Sequence, residues 1–374
     1  MKRILVTGAD GYLGSHIAAH CLAHGLSVTA WVHASTPDEL ARRARRLAER
    51  FRGDLTCVGG DLTDAEPFAG IDPTTIDGIV HTAGVTRFDV DQRTACRVNI
   101  AGTAAVVRFA GRCAGLRSLV HLSSVYAAGL LAGPIAEAPV NPRRFANFYE
   151  WSKWRAECLL QEAPRALPWR VLRVATVLAD DDSGRCGQRN VLHDTLRLLY
   201  QGLLSILPGE AGVPVYLVTA DVVAEAAVAL LDDAPAGRFV HACPPVEDCL
   251  TLGALLHLAN EAFRRCPDFR RRRPVVPPFC RRAAFELLVD GLRRHGGSLS
   301  DQVVGSLAPF APQLYVDKAL TARRLPRLIG RRVPGAATLL PRVCERLLAD
   351  GSLGMRGKNT SDPPCNQEDI RHAG

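Results

Sequence analysis

A tyrosine and a lysine one helical turn apart form the pattern with the clearest chemical meaning in this chain. Tyr149 and Lys153 are four residues apart in the stretch YEWSK, so on a helix both side chains lie on the same face. A phenol has an ordinary pKa of about 10, and a neighbouring ammonium favours its phenolate form. Such a phenol can exchange a proton with a carbonyl oxygen while hydride moves at the carbon atom. We therefore predict that Tyr149 is the proton donor or acceptor and that Lys153 assists it.

A hydroxyl partner for this tyrosine is expected at the end of a strand that faces the same cleft. The segment LSSV, residues 122–125, offers two serines. We predict that Ser124, which lies deeper in the cleft-facing loop, hydrogen-bonds the substrate oxygen beside Tyr149, with Ser123 as the second candidate. A serine at a strand end also commonly caps the next turn, so the pair has a purely structural alternative.

A glycine-rich loop follows the first short apolar run of the chain. The stretch TGADGYLG, residues 7–14, spaces three glycines in a GxxGxxG pattern between a predicted strand and a predicted helix. At such a junction the first glycine permits a tight turn, the second lets the backbone approach a pyrophosphate, and the third lets helix and strand pack closely. We therefore predict a dinucleotide-binding loop, with its contacts made by Gly8, Asp10, Gly11, Tyr12, Leu13 and Gly14.

The end of the second predicted strand bears on the choice between NAD and NADP. An acidic side chain at that position commonly binds the ribose hydroxyls of NAD, but this strand ends WVHAS, residues 31–35, with no acid before Asp38. The sequence therefore favours NADP, with NAD as the alternative, and a 2′-phosphate could be contacted by His33, Ser35, Arg42 or Arg43. Asp61 and Leu62 follow the third strand and are predicted to lie at the adenine edge, unless Asp61 is only an N-cap.

Short β-branched runs alternate with amphipathic stretches, which is typical of βαβ units around a parallel sheet. The fold class predicted is α/β: a Rossmann doubly wound sheet with a smaller, mostly helical C-terminal substrate-binding part. We predict a dinucleotide-binding domain over 1–180, a substrate-binding part over 181–335 that returns to the sheet at about 213–245, and a partly disordered extension over 336–374. The predicted strands are 3–6, 27–32, 55–58, 78–81, 118–122, 171–174 and 213–218, and the predicted helices include 15–24, 37–52, 192–207 and 221–231.

Composition excludes several classes of protein. With 374 residues, of which 47% are hydrophobic and 22% charged, the chain can bury one large or two modest cores. The basic excess lies in residues 251–374, which hold 21 Lys and Arg against 11 Asp and Glu. Its arginine cluster, residues 270–273, is followed by PVVPP at 274–278, which lacks interleaved aromatic residues, so we expect no nucleic acid partner and at most peripheral membrane contact. The twelve cysteines show no zinc-ligand spacing, and with no signal-peptide pattern we expect a cytoplasmic protein without a metal site.

These motifs together resemble the extended short-chain dehydrogenase/reductase superfamily, and within it the thioester-reductase and fatty-acyl-reductase branch. The resemblance covers residues 1–245, and a segment typical of the end of extended members follows at 315–330. Its motifs are TGADGYLG, WVHAS at 31–35, GDL at 60–62, HTAG at 81–84, VNIAGT at 98–103, the serine pair and YEWSKWRAE at 149–157. The resemblance implies that Ser124, Tyr149 and Lys153 are catalytic and that Asn99 is a structural or proton-relay residue. It also implies that the cofactor contacts the glycine loop, Asp61, Leu62, Thr82, Ala83 and Gly84, and that Tyr149 and Lys153 contact it as well.

The function expected is NAD(P)H-dependent reduction of a ketone, aldehyde or acyl thioester on a fairly apolar substrate, small or bound to an acyl carrier. One alternative is a sugar-nucleotide epimerase or dehydratase, which would use the same residues but retain NAD. A second alternative is a protein that senses the dinucleotide without turnover, against which the intact Tyr149 and Lys153 count. We also expect that the protein can form a homodimer.

Overall fold

Seven parallel strands form the central sheet, in a computed structural model that describes residues 2–232, 235–295 and 307–353. The strands are β1 Arg3–Thr7, β2 Ser27–His33, β3 Leu55–Gly60, β4 Gly78–His81, β5 Ser118–Ser124, β6 Trp169–Val174 and β7 Arg238–Ala242. Their order across the sheet is β7-β6-β5-β4-β1-β2-β3. The order reverses between β1 and β4, and ligands of such sheets bind at the carboxyl ends of the strands beside that point. The predicted Rossmann fold is confirmed.

Helices cover both faces of this sheet and build most of the C-terminal part. They are α1 Tyr12–Ala23, α2 Pro37–Arg50, α3 Gly102–Arg112, α4 Phe148–Glu162, α5 Val191–Gln201, α6 Ala220–Asp232, α7 Leu252–Arg264, α8 Pro267–Arg272, α9 Arg282–His295, α10 Arg324–Ile329 and α11 Ala336–Ala349. A short helical turn, Gln92–Thr94, and a π-helical stretch, Ala95–Ala101, lead directly into α3. Within the described ranges, no helix is both long and apolar enough to cross a membrane.

Short strand pairs and 3-10 turns connect these elements. The pairs join Gly133–Ile135 to Lys318–Leu320, Thr176–Ala179 to Leu217–Thr219, Leu207–Pro208 to Phe279–Cys280, and Pro214–Val215 to Leu250–Thr251. The 3-10 turns are Pro73–Thr75, Val125–Ala128, Val246–Asp248 and Ala311–Tyr315. The first of these pairs ties the C-terminal part of the chain to the loop that follows β5.

Two segments differ from the sequence-based expectation. The helix predicted over 192–207 ends at Gln201, because Gly202 takes a left-handed conformation with φ +70° and its N–H bonds back to the last helical turn. The strand predicted over 213–218 forms two short strands outside the central sheet, and the chain returns to that sheet through β7. Of the partly disordered extension predicted over 336–374, Ala336–Ala349 forms α11, and 354–374 lie outside the described residues.

The hydrophobic core crosses the boundary predicted near residue 180. One cluster packs Ile4 and Ile17 with Val174, Val223 and Val240, so β1, α1, β6, α6 and β7 share a single core. A second cluster, which includes Leu196, Leu255, Phe263 and Leu340, lies within the C-terminal part. The division into domains stays a prediction.

A buried ion pair fixes α4 against the sheet. Glu157 of α4 accepts two hydrogen bonds from Arg173 of β6, at 2.9 Å and 2.7 Å, and both side chains are essentially inaccessible to solvent. A bidentate pair of this kind sets the orientation of both elements. Because Tyr149 and Lys153 lie on α4, the pair also determines where they meet the end of β5.

Candidate active site

The glycine loop between β1 and α1 fits a dinucleotide pyrophosphate. Gly8 has φ +67°, a conformation that favours glycine, and its N–H donates to the Trp31 oxygen at 2.8 Å. A Cβ atom at Gly14 would lie 2.0 Å from the Gly8 oxygen. The N-cap of α1 is Gly11, and no described side chain caps that helix end. The first N–H groups of α1 can therefore bind phosphate oxygens.

Two side chains of this loop bind distant parts of the chain. The Asp10 carboxylate accepts from Arg43 of α2 at 2.5 Å, and the Tyr12 hydroxyl donates to Asp180 at 2.7 Å. The Gly187 N–H donates to the same Asp180 oxygen, which places the segment after residue 179 beside the start of α1. Burial and the adjacent Asp180 raise the pKa of Tyr12 well above its ordinary value. Sequence reasoning missed Asp180, whose only local signal is a run of three aspartates.

The end of β2 is closer to carboxylates than the sequence indicates. The Glu39 carboxylate accepts from the Ser35 N–H at 3.1 Å and from Arg43 at 2.7 Å, so an acid from α2 reaches back to this strand end. His33 lies 3.3 Å from Asp61, which also accepts from the Thr63 N–H. Burial raises the pKa of Asp61, but these hydrogen bonds outweigh it and the net shift is downward. Leu62, in contrast, is buried in the core against Gly102.

The segment after β4 packs directly on the glycine loop. The Thr82 hydroxyl donates to the Thr7 oxygen at 2.5 Å, and the Ala83 N–H donates to the Thr7 hydroxyl at 3.2 Å. A Cβ atom at Gly84 would lie 2.8 Å from the Asn99 side-chain oxygen and 3.7 Å from the Lys153 nitrogen. The cofactor loops and the catalytic candidates therefore meet at the carboxyl ends of β1, β4 and β5.

Asn99 joins this segment to α4. Its side-chain oxygen accepts from the Val85 N–H at 2.8 Å, while its side-chain nitrogen donates to the Val85 oxygen at 2.9 Å and to the Ser152 hydroxyl at 2.8 Å. It lies in the π-helical stretch, a feature that often occurs at functional sites. Its observed contacts correspond to a structural role beside the site.

Lys153 lies buried under the end of β5. Its ammonium donates to the Leu122 oxygen at 3.0 Å. Burial lowers the pKa of Lys153 to about 8, although the nearby Glu157 carboxylate opposes that shift. The lysine is thus held in place by the backbone of the strand that also carries the serine pair.

The two serines have different partners. Ser123 donates to Glu157 at 2.6 Å and belongs to the buried ion pair. Ser124 lies close enough to the Tyr149 phenol to lower its pKa, while its hydroxyl donates to the Val174 oxygen at 3.4 Å and accepts from the Tyr126 N–H at 3.2 Å, so it caps the following turn as well. The structure therefore brings Ser124, and not Ser123, to Tyr149.

Burial dominates the acidity of the Tyr149 phenol. It raises the pKa of Tyr149 to about 12, with the Ser124 hydrogen bond lowering it and the Glu150 charge raising it further. This net shift is opposite in sign to the one expected from Lys153. The phenol consequently holds its proton at neutral pH, which suits a proton donor.

An apolar cavity of about 80 Å³ begins next to Ser124. Its wall includes Val125 and Tyr126, which directly follow that serine, and Phe310. The Phe88 ring contacts both Phe310 and Tyr149, with ring centroids 5.0 Å and 5.5 Å away. Much of the remaining wall is apolar and includes Val191, Leu192, Leu207, Val215, Leu217, Leu252, Leu255, Leu256 and Leu314.

Comparison with known proteins yields relatives over most of the sheet. The family model described as male sterility protein, an NAD-binding domain, matches residues 6–227. The isonitrile lipopeptide synthase of Streptomyces coeruleorubidus is 30% identical over 214 residues, covering 52% of this chain and 14% of that protein. The fatty acyl-CoA reductase wat of Drosophila melanogaster is 20% identical over 302 residues, covering 66% of this chain and 56% of that protein. The chain thus spans less than two thirds of either relative.

Solved structures share the fold across nearly the whole chain. The terminal R domain from the myxalamid PKS-NRPS biosynthetic pathway matches with a TM-score of 0.74 at 21% identity, covering 94% of this chain and 91% of that one. A UDP-glucose 4-epimerase and a UDP-glucuronic acid 4-epimerase match with TM-scores of 0.62 and 0.63. At these identities the likeness is one of architecture alone.

Proposed function

This chain belongs to the male sterility protein family of NAD(P)-binding extended short-chain dehydrogenases/reductases, and we propose that it is an NAD(P)H-dependent reductase of a carbonyl group on a largely apolar substrate. The substrate is a ketone, an aldehyde or an acyl thioester, free or attached to a carrier. The observation that carries this proposal is the apolar cavity whose wall includes Val125, which follows Ser124, and Phe310, which contacts Tyr149 through the Phe88 ring.

The chain's own residues account for the proton side of the reaction. Ser124 and Tyr149 hydrogen-bond the carbonyl oxygen, and the Tyr149 hydroxyl gives it a proton as negative charge develops there. Lys153 follows Tyr149 by one turn of α4, and its ammonium would stabilise the phenolate that remains and bind ribose hydroxyls. A reduced dinucleotide whose pyrophosphate is held by the glycine loop would supply the hydride that the carbonyl carbon receives.

The cavity favours a reductase over a sugar-nucleotide epimerase. A sugar nucleotide brings a charged pyrophosphate and many hydroxyl groups, which need cationic and polar partners once buried. This wall is largely aliphatic, and Lys318 is the one cation among its described residues.

A substrate panel tests the proposed function. We expect purified protein to oxidise added NADPH or NADH in the presence of medium-chain ketones, aldehydes or acyl thioesters, and to leave UDP-sugars unchanged. Protein that purifies with tightly bound NAD and interconverts UDP-sugars would instead be an epimerase. Protein that binds dinucleotide but turns over no member of the panel would contradict the reductase.

For the cofactor we propose a preference for NADPH. No carboxylate occurs in residues 33–35, and the carboxylates that approach this strand end are already paired, Glu39 and Asp10 with Arg43 and Asp61 with His33. Asp10 and Glu39 share the one guanidinium of Arg43, which is the cation beside this strand end that a 2′-phosphate would meet.

His33→Asp should move the cofactor preference toward NADH. The new carboxylate would repel the 2′-phosphate and accept hydrogen bonds from free ribose hydroxyls, so we expect the NADPH/NADH ratio of kcat/KM to fall by roughly tenfold. His24→Asp is the matched control, because His24 is exposed at the far end of α1. A parent enzyme that already prefers NADH, or a ratio that His33→Asp leaves unchanged, would contradict the NADPH preference.

A further inference from the structure

The cavity wall contains a buried ammonium, that of Lys318, which has no part in the proton transfer proposed above. Lys318 lies in the short strand Lys318–Leu320 and is 6% exposed. It lines the same cavity as Tyr126 and Phe310, in an otherwise largely aliphatic wall. A buried cation in such surroundings needs hydrogen-bond acceptors and a counter-charge.

Lys318 has fewer hydrogen-bond acceptors than its ammonium can use. It donates to the side-chain oxygen of Gln313, whose nitrogen donates in turn to the Gly129 oxygen at 3.2 Å. An ammonium has three N–H donors. Among the described residues, Gln313 supplies the one hydrogen-bond acceptor for Lys318, so two donors remain for a ligand.

The counter-charge is Glu150, the fully buried neighbour of Tyr149. Its carboxylate accepts from the Ala146 N–H at 2.9 Å and from the Asn147 side chain at 3.4 Å, and the neighbouring Gln313 side chain lowers its pKa. Burial raises the pKa of Glu150 and lowers that of Lys318, and the charge of each opposes the shift of the other. With both groups ionised, the cluster of Glu150, Gln313 and Lys318 has no net charge.

Other polar side chains of the wall are already paired with the protein. The hydroxyls of Tyr126 and Thr176 are 2.9 Å apart, Thr195 donates to the Val191 oxygen at 2.8 Å, and Tyr216 donates to the Lys318 oxygen at 2.8 Å. Of the polar groups that line the described part of this cavity, Lys318 therefore has the most donor capacity left for a bound molecule.

We propose that the cavity binds a substrate with a second, uncharged oxygen acceptor, such as a hydroxyl, keto or amide oxygen, remote from the reacting carbonyl, and that Lys318 donates to it. This inference rests on the proposed function for the position of the reacting carbonyl, at Ser124 and Tyr149. A carboxylate fits less well, because it would add a buried negative charge to a cluster that is already neutral.

Two series of ligands test this inference. The first is 2-decanone and its hydroxylated analogues, with the hydroxyl at successive positions along the chain, scored by kcat/KM. The second is 1-decanol and the matching diols, whose dissociation constants are measured by calorimetry in the presence of the oxidised cofactor. We expect at least one hydroxyl position to improve both quantities about tenfold, the effect of roughly 1.4 kcal/mol from a hydrogen bond to a charged group.

Lys318→Met should abolish the preference for the hydroxylated ligand. Leu255→Met, a substitution to the same side chain elsewhere in the cavity wall, is the control and should change the values for the hydroxylated and the unmodified ligand equally. If Lys318→Met fails to fold because Glu150 is left alone, the double variant Glu150→Gln with Lys318→Met removes both charges together. The inference is overturned if the parent prefers no hydroxyl position, or if the preference survives in Lys318→Met or in the double variant. It is also overturned if a ligand with a terminal carboxylate binds better than every hydroxylated ligand. If the protein binds a diol better than 1-decanol but reduces none of the ketones, only the proposed function is contradicted. If it reduces the ketones but prefers no hydroxylated ligand, only this inference is contradicted.

Discussion

Tyr149→Phe is expected to lower kcat/KM at least about 100-fold, or roughly 3 kcal/mol of barrier, as for loss of a proton donor. The variant keeps the ring that packs against Phe88 but loses the hydroxyl that meets Ser124. Because the phenol acts on the reacting oxygen and not mainly on the cofactor, dinucleotide affinity should be nearly unchanged. The measurements are steady-state kinetics and fluorescence titration with the reduced cofactor.

A matched control separates loss of this hydroxyl from the loss of any tyrosine hydroxyl. Tyr315 donates to the Cys280 oxygen at 2.9 Å and lies outside the cavity wall, so Tyr315→Phe should retain parental activity. A Tyr149→Phe enzyme that keeps a tenth or more of the parental rate would remove this residue from the proton transfer.

Lys153→Met is expected to damage both cofactor binding and rate. The Lys153 ammonium donates to the Leu122 oxygen and lies next to Gly84, where it can reach a bound ribose. Lys153 also follows Tyr149 by one turn of the same helix. We expect a loss of about 100-fold in kcat/KM together with a clearly higher cofactor dissociation constant. Lys2→Met, at an exposed lysine, is the control and should change neither quantity.

The dependence of activity on pH shows whether the reaction needs the charge of Lys153 or whether the residue only supports the structure. Burial lowers the pKa of Lys153 to about 8, so the parent should lose activity as pH rises through that value and the ammonium gives up its proton. Tyr149, with its pKa raised to about 12, stays protonated over the same range and cannot cause that decline. Lys153→Met should lack the decline. If the variant keeps the parental profile, or loses rate without losing affinity, the dual role of Lys153 is wrong.

Features that depend on near neighbours in the chain were accessible from the sequence alone. The alternation of apolar runs and amphipathic stretches predicted the first six strands of the sheet, because strand and helix periodicities are local. The glycine loop and the tyrosine–lysine pair are likewise local patterns, since a tight turn or one helical turn sets their spacing. The helix predicted over 192–207 was too long because apolar periodicity continued beyond Gly202, which ends it.

Contacts between distant segments required the tertiary structure. Ser123 and Ser124 are adjacent in the chain, so the sequence does not distinguish them. In the folded protein Ser123 contacts Glu157, whereas Ser124 lies beside Tyr149. Arg43 of α2 reaches Asp10 of the glycine loop, 33 residues earlier in the chain, because α2 packs beside that loop in the folded protein.

The cavity follows the same rule. Lys318 is 168 residues from Glu150 in the chain, yet the pairing of its short strand with Gly133–Ile135 places it in the cavity wall with Tyr126 and Phe310. The sequence by itself determined the strand and helix pattern and the chemistry available. The tertiary structure decided which groups meet, because burial, counter-charges and pKa shifts arise from groups that folding alone brings together.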